Sequence, residues 1–442
     1  MHTLDLRDQQ YVHVHPEHVK QRVQDLTTAG AFHARIGTSR SGAWPLYGLQ
    51  LGSTRKPAIV LTANNHAEEV VGTLSILKLF ELLLGDARFS ELLDRFQFIA
   101  APQMNPDGVV NNWPWIHDPS PKRYLQYKWR DHRNEDVEHG IAVSGVDFVR
   151  PEPKALVSWY SMFADCPLPF YCTLHSCSAD TGAFFLSGNE DLGDLVQVFE
   201  IIAENAQAFG LPLKGYDMRK YKNYRRLQRG VYSVPRHGEM KRTYQASDSG
   251  ARTFLLNSLE WMLQRGVHSA FVSEVPMIIP VAYTEEEVAG VTALACMEPL
   301  VQKLEDHIAR CSGRLTYLNG EGNSFVADAH RLAWYTEKHN AFSKSAARQL
   351  KLFLECFAGA PALRIHQTQH DVQDAYSRFL EAAMILNVAG QSMPGINQLQ
   401  GQLDSAYVEM DAVAGLANRM TPLDMHMRYQ LLMILAGATA RT

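Results

Sequence analysis

Six cysteines in 442 residues, none arranged as C-x-x-C, are too few and too scattered for a small secreted disulfide scaffold. Cys166, Cys172, Cys177, Cys296, Cys311 and Cys356 therefore read as mostly reduced. Long apolar runs are missing too: the longest uncharged stretch, Ala382–Leu403, is broken by Asn, Gln, Ser, Pro and Gly and is too polar to span a membrane. Neither sign of charge dominates, since 42 Lys and Arg face 47 Asp and Glu for a net charge of -5. That leaves no electrostatic case for nucleic acid or an anionic membrane surface. The opening residues, MHTLDLRDQQ, lack the basic and apolar regions of a secretory signal, so the cytoplasm is the expected location. Small ligands or proteins are the expected partners.

What is present is the composition of a globular protein, 46% hydrophobic and 20% charged, in a chain longer than one ordinary domain needs. Short apolar runs at 57–63, 96–102, 168–174, 183–187 and 268–273 read as strands. Between them, residues 68–86, 192–210 and 251–266 carry helical periodicity, and the last two segments end on glycines placed as C-caps. Strands alternating with helices predict an α/β domain with a mixed sheet flanked by helices, over residues 1–311. Thr284 with Glu287 three residues on is a capping-box pattern and predicts a long closing helix. After a turn-rich stretch at 312–324, apolar stripes through Leu350, Phe353 and Phe357 and through Val372, Tyr376 and Phe379 predict a helical C-terminal region, 312–442. Such a region could pack over the first part or mediate oligomerisation.

The chemistry starts in ANNHAEEVV, residues 63–71, where a histidine stands three residues before a glutamate just beyond an apolar run. Acidic residues in a first helical turn favour the helix dipole, which is one reading. On a helical turn His66 and Glu69 would also share a face and could converge on a cation. His175 closes the strand at 168–174 and Glu274 the strand at 268–273. Ligands of open α/β sheets bind beyond the carboxyl ends of the strands, so three such ends can meet in space. His66, Glu69 and His175 supply the two imidazoles and one carboxylate of a catalytic zinc site, and Glu274 is left over as a general base.

With these residues in place the chain resembles the zinc metallocarboxypeptidases of the carboxypeptidase A-like family M14, over roughly residues 30–310. The resemblance rests on motifs in order: RIGTSRSG (35–42), NNHAEE (64–69), MNPDG (104–108), KWRDHR (128–133), GVDFVR (145–150), LHS (174–176), YQAS (244–247) and SE (273–274). It implies a zinc-dependent peptidase with one zinc per chain, held by His66, Glu69 and His175. It further implies Glu274 as catalytic base, Arg130 at the scissile carbonyl, Asp147 behind a zinc histidine, and Arg150 on the substrate's terminal carboxylate. Zinc lowers the pKa of bound water toward about 7 and polarises a carbonyl. Outside the family, Asp147 also reads as a turn residue and Arg130 as one of a solvated basic run.

Two departures concern the substrate. Val149 stands where the family has an Asn beside the carboxylate-binding Arg and offers no donor. After YQAS no residue matches the family's mobile tyrosine, and Tyr244 belongs only to the shared loop start. The leading expectation is hydrolysis of a peptide bond with release of a C-terminal residue. The alternatives are a zinc amidohydrolase of the same fold, acting on a small N-acyl amino acid or cell-wall peptide, and a non-catalytic binding protein on this scaffold.

Overall fold

The computed structural model describes residues 4–131, 136–142, 147, 148, 150–177, 182–189, 191–193, 195–208, 211, 213, 214, 224–234, 255–280 and 418–439. The capping box at Thr284, the turn-rich stretch, both apolar stripes, Tyr244 and Val149 lie outside the described residues. The strands are β1 Phe32–Thr38, β2 Pro45–Leu51, β3 Ala58–Ala63, β4 Gln97–Ala101, β5 Ile141–Ala142, β6 Phe170–His175, β7 Phe184–Ser187, β8 Arg226–Gln228, β9 Val231–Ser233, β10 Leu255–Leu256, β11 Ser269–Glu274, β12 Ile278–Pro280 and β13 Asn418–Met420. The helices are α1 Pro16–Thr28, α2 Val71–Gly85, α3 Ala87–Ser90, α4 Pro106–Asn111, α5 Trp113–Ile116, α6 Pro121–Tyr127, α7 Pro151–Ser161, α8 Leu195–Ala208, α9 Ser258–Gln264 and α10 Leu423–Thr439.

Nine strands form one mixed sheet in the order β1-β2-β4-β3-β6-β11-β7-β9-β8. The central block β4, β3, β6 and β11 is parallel throughout, and antiparallel partners flank it. All five strands expected from the apolar runs are present; the β1–β2 hairpin was not foreseen. The central strands are apolar on both faces because helices cover both. Ile59, Leu61, Phe170, Cys172, Leu174 and Phe271 point into one core with α1, α2, α8 and α10. Val60, Ile99, Tyr171, Ala270 and Val272, alternate in the same strands, point into another with Trp159, Tyr160, Leu259 and Met262.

Two glycines allow close seating of helices on this sheet. A Cβ on Gly72 would lie 2.7 Å from the Leu174 Cβ and 2.8 Å from that of Ala63, so α2 can sit against the ends of β3 and β6 only without a side chain there. A Cβ on Gly437 would run into the Phe170 ring, which brings α10 equally close to β6. The C-terminal stretch expected to form a region of its own thus ends in a helix belonging to the main core, and β13 pairs with β12 just after Glu274. No helix among the described residues is long and apolar enough to cross a membrane.

Candidate metal centre

His66, His175 and Glu274 stand at the carboxyl ends of three neighbouring strands. In the β6–β11 pairing Glu274 lies opposite His175, and in β3–β6 Ala63 lies opposite Leu174, so the exits of all three are level. The chain leaves β3 through Asn64, whose φ of 57° is a left-handed conformation that Asn tolerates better than most residues. Its amide donates to the His66 carbonyl at 3.0 Å and turns the backbone so that His66 faces the edge. The segment 66–69 is a turn closed by Glu69 N–H on the His66 carbonyl at 3.2 Å, and α2 begins only at Val71. The expected helical face is therefore a turn, but its three-residue spacing still brings the two side chains together.

The donor atoms converge closely. Glu69 Oε1 is 2.8 Å from His66 Nδ1 and Oε2 is 2.7 Å from His175 Nδ1, while the two Nδ1 atoms are 3.1 Å apart. The Ser176 N–H holds Glu69 Oε2 at 3.2 Å. Behind each ring stands a further carboxylate: Asp136 Oδ2 is 3.3 Å from His66 Nε2, and Glu138 Oε2 is 3.5 Å from His175 Nε2, which also meets Thr173 Oγ1 at 2.9 Å. Glu138 is fixed in turn by the Asn65 amide and by the Ser258 hydroxyl at 2.6 Å. Arg130 donates to Glu68 at 2.9 Å and lies 3.5 Å from Glu69 and 3.8 Å from Asp136.

This crowding has an electrostatic consequence. Glu68, Glu69, Asp136 and Glu138 are all buried, and their charges need compensation that half-exposed Arg130 cannot supply alone. Without a cation the imidazoles take protons. Against the cost of burial and the repulsion of Arg130, Asp136 and Glu69 hold His66 well above the usual histidine value. Against burial again, Glu69 and Glu138 push His175 up to about 9. Two Nδ1 atoms facing each other across a shared carboxylate are what a divalent cation at their centre would reconcile, with both rings neutral. The donor set of His66, Glu69 and His175 fits zinc. A second group, His66, Asp136 and His139, also lies within 4.8 Å, but it shares His66 and includes exposed His139. Burial and the Glu69 charge push Glu274 up to about 7, while His175, His66 and Arg130 pull the other way.

The sequence of residues 19–179 matches the profile of the zinc carboxypeptidases, peptidase family M14. The match takes in His66, Glu69, Arg130 and His175 and stops short of Glu274. None of the curated proteins matches the chain. Among solved structures, carboxypeptidase A of Helicoverpa armigera is similar at 13% identity over 62% of this chain and 66% of its own, with a TM-score of 0.41. A metallo-carboxypeptidase of Burkholderia cenocepacia is similar at 15% identity over 59% of each chain, TM-score 0.39. Bovine thrombin-activatable fibrinolysis inhibitor, solved with a tick carboxypeptidase inhibitor, is similar at 17% identity over 58% of this chain and 84% of its own, TM-score 0.37.

Two expected residues stand elsewhere than the zinc carboxypeptidase motifs implied. Asp147 is exposed, and the place behind His66 is taken by Asp136. Arg150 is buried under α7, where it pairs with Asp131 at 2.9 Å and with Glu152 at 2.7 Å. Both carboxylates face its guanidinium, so Arg150 ties loops together rather than offering charge to a ligand. Asp136 and Glu138 belong to a turn, closed by the Glu138 N–H on Asp136 Oδ1 at 2.8 Å, and no period in the sequence announces such a pair.

Proposed function

We propose that the chain is a zinc-dependent metallopeptidase that hydrolyses a peptide bond and releases a C-terminal residue. The observation that carries this reading is the convergence of His66 Nδ1, His175 Nδ1 and the Glu69 carboxylate at one sheet edge, with Glu274 aligned beside His175. His66, Glu69 and His175 would hold the zinc, which when bound supplies a Lewis acid and lowers the pKa of a water toward about 7. Asp136 and Glu138, 3.3 and 3.5 Å from the far nitrogens of the two rings, would favour the orientation that turns both Nδ1 atoms to the metal, with Thr173 Oγ1 hydrogen-bonded to His175 Nε2. Glu274, with its raised proton affinity, accepts a proton from the attacking water and passes it to the leaving amine. Arg130, hydrogen-bonded to Glu68 beside these ligands, would donate to the charge that builds on the scissile carbonyl oxygen. The substrate's terminal carboxylate must find a partner other than Arg150. A cytoplasmic, reducing setting would suit the free thiols of Cys166 and Cys172.

The test is zinc content together with hydrolysis of a peptide panel with free and amidated C-termini. About one zinc per chain, activity lost to chelators and restored by zinc, and preference for the free carboxylate are expected. Full hydrolysis by a metal-free chain would contradict the zinc reading, and indifference to amidation would contradict release from the C-terminus.

A further inference from the structure

His175 is held from a direction that neither the motifs nor the zinc chemistry requires. Two fully buried polar side chains, His426 and Gln430, project from α10 into an otherwise apolar core. Four residues apart, they share one face of the helix. Gln430 Nε2 donates to the backbone carbonyl of His175 at 3.2 Å, and its Oε1 accepts from the Ser75 hydroxyl of α2 at 2.7 Å. His426 Nε2 lies 3.2 Å from Ser176 Oγ, next to the N–H that holds Glu69. The same C-terminal stretch grips the other side of the site: Thr421 donates to the carbonyls of Met277 and Pro276, just beyond Glu274.

Packing alone does not explain these residues. Leucines at 426 and 430 would fill the space without bringing polar side chains of their own, and His426 Nδ1 has no hydrogen-bond partner among the described residues. What the polar atoms achieve is a fixed backbone at His175 and Ser176, hence a fixed ring on one and a fixed Glu69 contact on the other.

We propose that Gln430 and His426 are positioning residues of the metal centre, through which α10 sets the geometry of His175 and Glu69 and thereby the affinity for zinc. The inference rests on the metallopeptidase reading of the site, and it makes the C-terminal helix part of that site. The test uses the full chain and measures zinc affinity by chelator competition alongside the melting temperature of the zinc-free protein. Gln430→Met removes both hydrogen bonds but keeps the core filled, so the zinc-free protein should lose only the modest stability of leaving the Ser75 hydroxyl and the His175 carbonyl without that partner. Its zinc affinity should nonetheless fall about ten- to a hundredfold, the usual cost of losing an outer partner of a ligand. Ser176→Ala breaks the His426 contact from the strand side without touching the helix, and should weaken zinc while leaving stability nearly unchanged. A zinc-binding wild type with both variants at wild-type affinity overturns this inference alone. A wild type that binds no zinc overturns the site reading and this inference with it.

Discussion

At the scale of single residues, the site is a contest between protons and a metal for the same nitrogens. His175 is raised to about 9 by Glu69 and Glu138, so in the zinc-free chain its protonation contributes stability fully below the unfolded histidine value and loses it as pH rises through about 9. Zinc needs the neutral ring, so its apparent affinity should tighten from pH 6 toward 9, about tenfold per unit for each proton displaced. Titrations across that range check this, and a flat profile would contradict a protonated His175. The two aspartates give a second prediction. Asp136→Asn should weaken zinc about ten- to a hundredfold, whereas exposed Asp147→Asn should leave it unchanged. Equal effects would return the role to Asp147. The meeting of His66, Glu69, His175 and Glu274 was legible in the sequence because strand ends announce themselves by apolar runs that stop at a polar residue. Asp136 was not, because it sits in a loop, where spacing carries no periodic constraint, and GVDFVR looked the better match.

At the scale of elements, each partner of the site is delivered by a strand or helix whose seating can be tested. Arg150→Ala should leave Asp131 and Glu152 buried and unpaired, costing about 3–5 kcal/mol of stability. Any loss of activity should follow the fraction unfolded and not a selective rise in KM for free-carboxylate peptides, which would instead restore Arg150 as a substrate anchor. Gly437→Val should force α10 off Phe170, at about 1–3 kcal/mol for overpacking, read from denaturant unfolding. The central strands were legible because burial on both faces leaves continuous apolar runs. The β1–β2 hairpin escaped notice because FHARIGT and PLYGLQL mix polar and apolar residues without such a run. Helix α9 proved shorter than its periodic stretch because Leu255 and Leu256 pair with β5 instead.

At the scale of the whole molecule, one sheet edge gathers residues from 66 to 430, so the site exists only when distant parts of the chain are folded together. The expected separation of a catalytic part from a helical tail does not extend to α10, whose apolar periodicity could not reveal what it packs against. Folding and zinc binding are thus coupled, and saturating zinc should raise the melting temperature. The central claim is that three strand ends bring a ligand set and a separate base to one point. Parallel measurement of zinc content and kcat for Glu274→Gln and Glu69→Gln addresses it most directly. Glu274→Gln should keep zinc while kcat falls about a hundred- to ten-thousandfold, as loss of a positioned base does; Glu69→Gln should lose zinc as well. Near-normal turnover in Glu274→Gln, or zinc loss equal to that of Glu69→Gln, would contradict the division of labour between base and ligand.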